Sequence, residues 1–136
     1  MINSKRKGKQ GELEAVRLCK SEGYNTHRAA QFCGNNEDGT ADIVGLHGVH
    51  VEVKRVEKLN IDDALDQSIR DAAKTDKAIP IVLHRRNNAR WKVTMDAHDW
   101  FKLYREWEAG CGKGDTDDRT GISAADTSSE AASTLS

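Results

Sequence analysis

The chain has 136 residues, of which 37% are hydrophobic, and a formal net charge of −1 at pH 7. A chain of this length can bury one modest core, so we expect a single small domain. It has no apolar run of about 18 residues and no signal-peptide pattern, so we expect a cytoplasmic protein without a membrane segment.

Charge is unevenly distributed along the chain. Residues 111–136 hold two basic and five acidic residues, so residues 1–110 have a net charge of +2. Two basic clusters lie in this larger part: Lys5, Arg6, Lys7 and Lys9 near the start, and Arg85, Arg86 and Arg90 further along. Clusters of this size can neutralise a few phosphates of a nucleic acid, and a solvated surface is an equally good interpretation of each.

The cysteines predict reduced thiols. Cys19, Cys33 and Cys111 are far apart, and no CxxC pair is present. Their odd number and wide spacing match neither a zinc site nor a disulfide framework.

The first predicted helix covers residues 9–22 and ends at Gly23, after a basic arm at residues 1–8. Its apolar residues occupy one sector of the helix: Ala15, Val16 and Cys19. Glu12 falls inside that sector. A carboxylate on the buried side of a helix is costly unless it has a partner. Glu12 is therefore a candidate functional residue. Alternatively, it interacts with the helix macrodipole from the first turn.

The next predicted elements are a strand, a loop and a hairpin. They cover residues 24–32, 34–39, and 41–46 paired with 49–56. A two-residue turn at His47-Gly48 would place Asp42 opposite Val53. A three-residue loop that ends at Gly48 places Asp42 opposite Glu52. We favour the longer loop because such loops usually end in a residue with positive φ, most often glycine.

Alternation of side chains gives the second hairpin strand two different faces. Three of its valines share the face that we expect to be buried: Val49, Val51 and Val53. The other face holds Glu52 and Lys54, and also His50, which we predict to be partly exposed. Directly opposed Asp42 and Glu52 would lie about 5 Å apart at Cβ and repel each other, so the pair indicates a divalent cation.

The second predicted helix, two strands and the last helix follow the hairpin. Asn60 caps a helix in which six residues have the spacing of one buried face; they are Ile61, Ala64, Leu65, Ser68, Ile69 and Ala72. A buried strand at 78–84 and an edge strand at 90–95 follow. Asp96 then caps a helix rich in aromatic residues, and the tail at 109–136 lacks apolar periodicity, so we expect it to be disordered.

The Asp42…Glu52-x-Lys54 pattern on a hairpin resembles the PD-(D/E)XK nuclease superfamily, with Ala41 where a proline often stands. Within that superfamily, the stretch from Lys7 to Trp107 is similar to the small Holliday-junction resolvases of archaea and bacteriophages. The resemblance implies an α/β, restriction-endonuclease-like fold for residues 9–108. Its mixed central sheet would have the order helix–strand–strand–strand–helix–strand and be flanked by helices.

The same resemblance implies a Mg²⁺-dependent endodeoxyribonuclease, with Mn²⁺ as a substitute ion. Asp42, Glu52, the backbone carbonyl of Val53 and Glu12 would hold the metal. Lys54 would position the attacking water and stabilise the charge that develops on the phosphate. Weaker candidates for DNA contacts are Thr40, Gln67, Lys7, Lys9, Arg55, Arg85 and Arg86. Alternatives are a strand-capping role for Thr40 and a solvated helix position for Gln67.

The resemblance also implies a substrate and an assembly. A four-way DNA junction needs two symmetric nicks, so resolvases act as two-fold homodimers. The second helix or the aromatic last helix could supply the dimer interface. Two other functions remain open: a nuclease of flaps, ends or damaged duplex, and a catalytically silent DNA-binding module.

Overall fold

The chain divides into two units, and the sheet lies in the first. The computed structural model describes residues 4–29, 40–75 and 78–114. The units are Met1–Asp96 and Ala97–Ser136. The predicted loop at 34–39, Cys33 and the tail beyond residue 114 lie outside the described residues.

The helices and strands follow the predicted order. They are α1 (Ser4–Ser21), β1 (His27–Arg28), β2 (Ile43–Val44), β3 (Val49–Arg55), α2 (Ile61–Lys74), β4 (Ile79–Arg85), β5 (Lys92–Met95) and α3 (Ala97–Gly114). The first helix begins at Ser4 instead of residue 9, so most of the predicted basic arm is helical. The last helix continues to Gly114, past residue 109, where we place the start of the tail.

The five strands form one mixed sheet in the order β1-β2-β3-β4-β5. Strands β3 and β4 are parallel, and the other neighbours are antiparallel. A parallel pair requires a crossover connection, which α2 supplies. The predicted α/β class with a mixed central sheet is therefore confirmed.

The core lies between α1 and one face of the sheet. Its buried members are Ala15, Val16, Cys19, Ile43, Val51, Val53, Ile81 and Leu83. The apolar sector of the first helix and the valine face of β3 therefore meet as predicted. This packing fixes α1, and with it Glu12, beside the end of β3 that holds Lys54.

Helix α2 packs on β3 and β4 through small residues. Ala64, Ser68 and Ala72 are buried, and the Ser68 hydroxyl donates a hydrogen bond to the carbonyl of Ile81 at 3.0 Å. The predicted cap is present, because Asn60 Oδ1 accepts a hydrogen bond from the amide of Asp63 at 3.1 Å. Ile69, which we expect on the buried face, is 37% exposed.

The prediction of a partly exposed His50 is wrong. His50 is 0% exposed and Glu52 only 4% exposed. Side chains alternate along β3, so these two residues point away from the α1 core, toward the face on which α2 packs. The helix covers a face that sequence alternation alone suggested would be open to solvent.

The hairpin has the register of the three-residue loop. Ile43 is paired with Val51, which places Asp42 directly opposite Glu52. Gly48 ends the loop with φ +84°, as predicted. Gly45 has φ +116° as well, and a Cβ built there would lie 2.5 Å from the carbonyl oxygen of Asn25. Only glycine allows the hairpin to approach the chain this closely.

Helix α3 carries a row of exposed aromatic side chains. Trp100 stacks on Tyr104 with ring centroids 5.1 Å apart, and Tyr104 lies 5.6 Å from Trp107. Phe101 meets Trp100 edge to face. These side chains are 38–61% exposed.

Candidate active site

A cavity of about 480 Å³ lies where the start of α1 meets the hairpin. Seven of the residues predicted to form the site line it: Lys7, Glu12, Asp42, Glu52, Val53, Lys54 and Arg55. They come from α1, from the residue before β2 and from β3. We call this space the carboxylate cavity.

Asp42 is held in place by backbone hydrogen bonds. Its amide donates to the carbonyl of Val51 at 2.9 Å, and its carbonyl accepts from the amide of Ala29 at 2.9 Å. Its side-chain Oδ2 accepts from the amide of Val53 at 2.8 Å. Burial, followed by the negative charge of Glu52, raises the pKa of Asp42 from 3.8 to about 7.

Glu52 and Lys54 form an ion pair along β3. Lys54 Nζ lies 3.4 Å from Glu52 Oε2, and the side chains are 31% and 6% exposed, respectively. Burial raises the pKa of Glu52, and the charge of Asp71 on α2 adds to this effect, whereas Lys54 opposes it. Asp71 is an acidic neighbour that sequence reasoning did not single out.

Glu12 also reaches the site, with a partner that we did not predict. The Nε of Arg28 donates to Glu12 Oε1 at 3.0 Å, and both side chains are largely buried. The negative charge of Glu12 contributes to the raised pKa of Asp42. Gly11 permits this placement, because a Cβ there would lie 3.0 Å from the Cβ of Arg55. No sequence signal marks Arg28, since its strand has only two residues.

Two predicted DNA contacts, Arg55 and Arg85, both donate hydrogen bonds to Glu14. Arg55 Nε donates to Glu14 Oε1 at 2.8 Å, and Arg85 donates to the same oxygen from Nη2 at 3.1 Å. Burial raises the pKa of Glu14, but the hydrogen bonds from the two arginines outweigh it and lower the pKa overall. This cluster ties α1 to the ends of β3 and β4.

The other predicted contacts do not line the carboxylate cavity. Thr40 and Gln67 are half-buried, and Lys9 is exposed on α1. Arg85 and the exposed Arg86 line a different cavity. Their role as DNA contacts stays a prediction.

The carboxylate pair should make the apo protein less stable as pH rises. The pKa of Asp42 is about 7 in the folded chain and 3.8 as an ordinary side chain, so the unfolded chain loses this proton first. The contribution of Asp42 to the free energy of unfolding is therefore fully present below about pH 4 and is lost as the pH rises to 7. In EDTA, we expect Asp42→Asn to match wild type near pH 4 and to be roughly 2–4 kcal/mol more stable at pH 8.

Urea unfolding of both proteins between pH 4 and 8 measures this difference. Asparagine retains the oxygen that accepts the Val53 amide, so the comparison isolates the charge. A variant no more stable than wild type at pH 8 would show that the buried charge of Asp42 does not destabilise the folded chain.

The donor set fits a hard divalent cation. Within residues 4–29, 40–75 and 78–114, no group of three or more His, Cys, Asp or Glu side chains is arranged to hold a metal ion. Asp42 and Glu52 form a pair, and the pKa of each is raised by burial. Mg²⁺ is commonly bound through one or two carboxylates and keeps several of its waters. A cation between these carboxylates would relieve their repulsion.

Comparison with solved structures finds proteins of similar fold. No protein-family model matches the chain, and no curated protein matches it. The structure of Hjc from Archaeoglobus fulgidus, a Holliday junction resolvase from an archaeal hyperthermophile, is similar with 21% identity and a TM-score of 0.49. The match covers 65% of this chain and 72% of that chain. Among the described residues, no helix is long and apolar enough to span a membrane.

Proposed function

We propose that this chain is a Mg²⁺-dependent endonuclease that hydrolyses DNA phosphodiester bonds. The observation that carries the proposal is the buried pair of Asp42 and Glu52 beside Lys54. Burial raises the pKa of both carboxylates, and the charge of Glu52 raises that of Asp42 further, so the ionised pair destabilises the fold. Arrangements that cost stability are typical of functional sites.

Each residue of the site has a proposed role. Asp42, Glu52 and the Val53 carbonyl would hold Mg²⁺, with Mn²⁺ as a substitute, and Glu12 would support the ion directly or through water. When bound, the ion supplies Lewis-acid stabilisation of negative charge on the phosphate and lowers the pKa of water. Lys54 positions the attacking water and stabilises the same charge with its ammonium group. Arg28 holds Glu12 beside Asp42.

The proposed substrate is branched DNA, above all a four-way junction, cut by a homodimer. The motif resemblance supports this assignment, and the exposed aromatic row of α3 supports a dimer. We propose that Trp100, Tyr104 and Trp107 pack against the same helix of a second copy. A nuclease of flaps, ends or damaged duplex is the alternative. A silent DNA-binding module is disfavoured, because such a module gains nothing from keeping two opposed buried carboxylates.

A cleavage assay tests the proposal. Labelled four-way junction, flap, linear duplex and single-stranded DNA are incubated with the protein in Mg²⁺, in Mn²⁺ and in EDTA. We expect paired symmetric nicks in the junction, slower cleavage of the other substrates, and no cleavage in EDTA. Asp42→Asn, purified in parallel, should be inactive, which excludes a co-purified nuclease. Sedimentation of the same sample should show a dimer.

The outcomes separate the chemistry from the substrate. If the protein is a monomer that cuts linear duplex or flaps as fast as the junction, the proposed endonuclease activity stands and the resolvase assignment is wrong. Failure to cut any substrate with either ion would contradict the nuclease itself.

A further inference from the structure

A second cavity, of about 290 Å³, lies beside the turn between β4 and β5. Cationic side chains dominate its lining: Arg85, Arg86, Arg90 and Lys92. One carboxylate, Glu57, lies among them. We call this space the turn cavity. The catalytic chemistry proposed above does not use it.

Arg85 supports the turn cavity through interactions with other parts of the protein. Its Nη2 donates to Glu14 at 3.1 Å, and its Nη1 donates to the carbonyl of Ala89 at 3.1 Å. Its guanidinium also lies 5.6 Å from the centre of the Trp91 ring. These interactions fix Arg85 between α1 and the turn, so the ligand-facing charges are Arg86, Arg90 and Lys92, which are exposed.

The turn that carries Arg86 and Arg90 is held in one conformation. The amide of Ala89 donates to the carbonyl of Arg86 at 3.2 Å, and Asn88 adopts φ +59°. Glu57 Oε2 accepts a hydrogen bond from the amide of Asn87 at 2.7 Å, which anchors the turn to the segment after β3. Because the backbone is fixed, the cations need little reordering when an anion binds.

The turn cavity adjoins the carboxylate cavity. Val56 lines both of them. Arg55, in the wall of the carboxylate cavity, is paired in register with Arg85, in the wall of the turn cavity. The two cavities are therefore neighbours at the ends of β3 and β4. The positive charge of Lys92 also adds to burial in lowering the pKa of His84, which indicates a positive potential here.

We infer that the turn cavity binds the phosphodiester backbone of the DNA strand that leaves the candidate active site, through Arg86, Arg90 and Lys92. The inference rests on the proposed function for its choice of ligand. It differs from the sequence prediction in two respects. Arg85 supports the cavity instead of binding DNA, and Arg90 and Lys92 join the residues that bind it.

Equilibrium binding in EDTA tests the inference without requiring cleavage. Fluorescence anisotropy with a labelled linear duplex is measured over a series of NaCl concentrations for wild type and for the triple variant Arg86→Gln, Arg90→Gln, Lys92→Gln. Removal of one cation that binds a phosphate reduces the slope of log K against log salt by about one. We expect the slope of the triple variant to fall by about two to three, by the same rule, and its affinity to fall at least about 10-fold at 0.1 M salt.

A matched control removes the same charges elsewhere. Arg17, Lys20 and Arg70 are exposed, and none of them lines either cavity. Their replacement by glutamine should leave the slope almost unchanged. Glu57→Gln should act in the opposite direction and tighten duplex binding a few-fold, because it removes the one carboxylate from the cavity. Urea unfolding of each variant confirms that it remains folded.

The outcomes distinguish this inference from the proposed function. Equal reductions of the slope in the two triple variants, or an unchanged slope in the first, would overturn the turn cavity as a phosphate site. A wild type that does not bind duplex would overturn it as well. If only the first triple variant loses binding and the wild type cleaves no DNA, the turn cavity is supported as a phosphate site and the proposed nuclease activity is contradicted.

Discussion

Replacement of Lys54 by alanine should lower the rate of DNA cleavage by about 100-fold, the loss typical of one group that stabilises transition-state charge. Lys54 Nζ lies 3.4 Å from Glu52 and lines the carboxylate cavity, so it is placed to act on a phosphate bound there. Affinity for uncut DNA should change far less, because the other cations of the surface still bind its phosphates. Single-turnover cleavage and binding in EDTA measure the two quantities separately.

Lys58→Ala is the matched control for Lys54→Ala. Lys58 is exposed, lies four residues further along the chain, and lines neither the carboxylate cavity nor the turn cavity. The control removes the same charge, so its cleavage rate should stay close to that of wild type. If Lys54→Ala reduces binding and cleavage by the same factor, Lys54 is a DNA anchor and its catalytic assignment is wrong.

Replacement of Gly45 by alanine should destabilise the fold by roughly 3 kcal/mol or more. Its φ of +116° is unfavourable for any residue with a Cβ. The added Cβ would also lie 2.5 Å from the Asn25 carbonyl oxygen and 2.8 Å from the Cα of Thr26. Both are backbone atoms, so the hairpin itself must move, and Asp42 lies three residues away on the same side of the hairpin loop.

Gly48→Ala separates the two causes of this effect. Gly48 also has a positive φ, +84°, but a Cβ built there meets no atom within 4 Å. Only the conformational cost of about 1–2 kcal/mol then applies. Urea unfolding of the two variants measures the difference. Equal losses of stability in the two variants would show that the close approach of Gly45 to residues 25 and 26 does not contribute to the destabilisation by Gly45→Ala.

Local rules predicted the hairpin correctly because they act over a few residues. The positive φ expected at Gly48 selected the loop length, and loop length determines register. Register then placed Asp42 opposite Glu52. Alternation along β3 put Glu52 and Lys54 on one face, where they form an ion pair. The Asn60 cap depends on residues three apart and was equally accessible.

The same rules failed where a distant element decided the outcome. His50 looked like a solvated strand residue, yet it is fully buried on the face of β3 that points away from the α1 core. Nothing in the sequence marked Glu14, yet it accepts hydrogen bonds from Arg85, which lies 71 residues away in sequence. The same packing pairs Arg55 and Arg85, two predicted DNA contacts, with Glu14. The pattern within one strand or helix carries no information about what packs on it.

The sequence by itself determined the carboxylates, the lysine and the strand register that brings them together, because turn geometry and side-chain alternation are local properties of the backbone. Tertiary structure alone decided which charges are already paired. Glu12 binds Arg28, and Glu14 binds Arg55 and Arg85. The physical reason is that a buried charge needs a partner, and packing brings that partner from another element. The cations left exposed around the turn cavity could be identified only after those pairs were known.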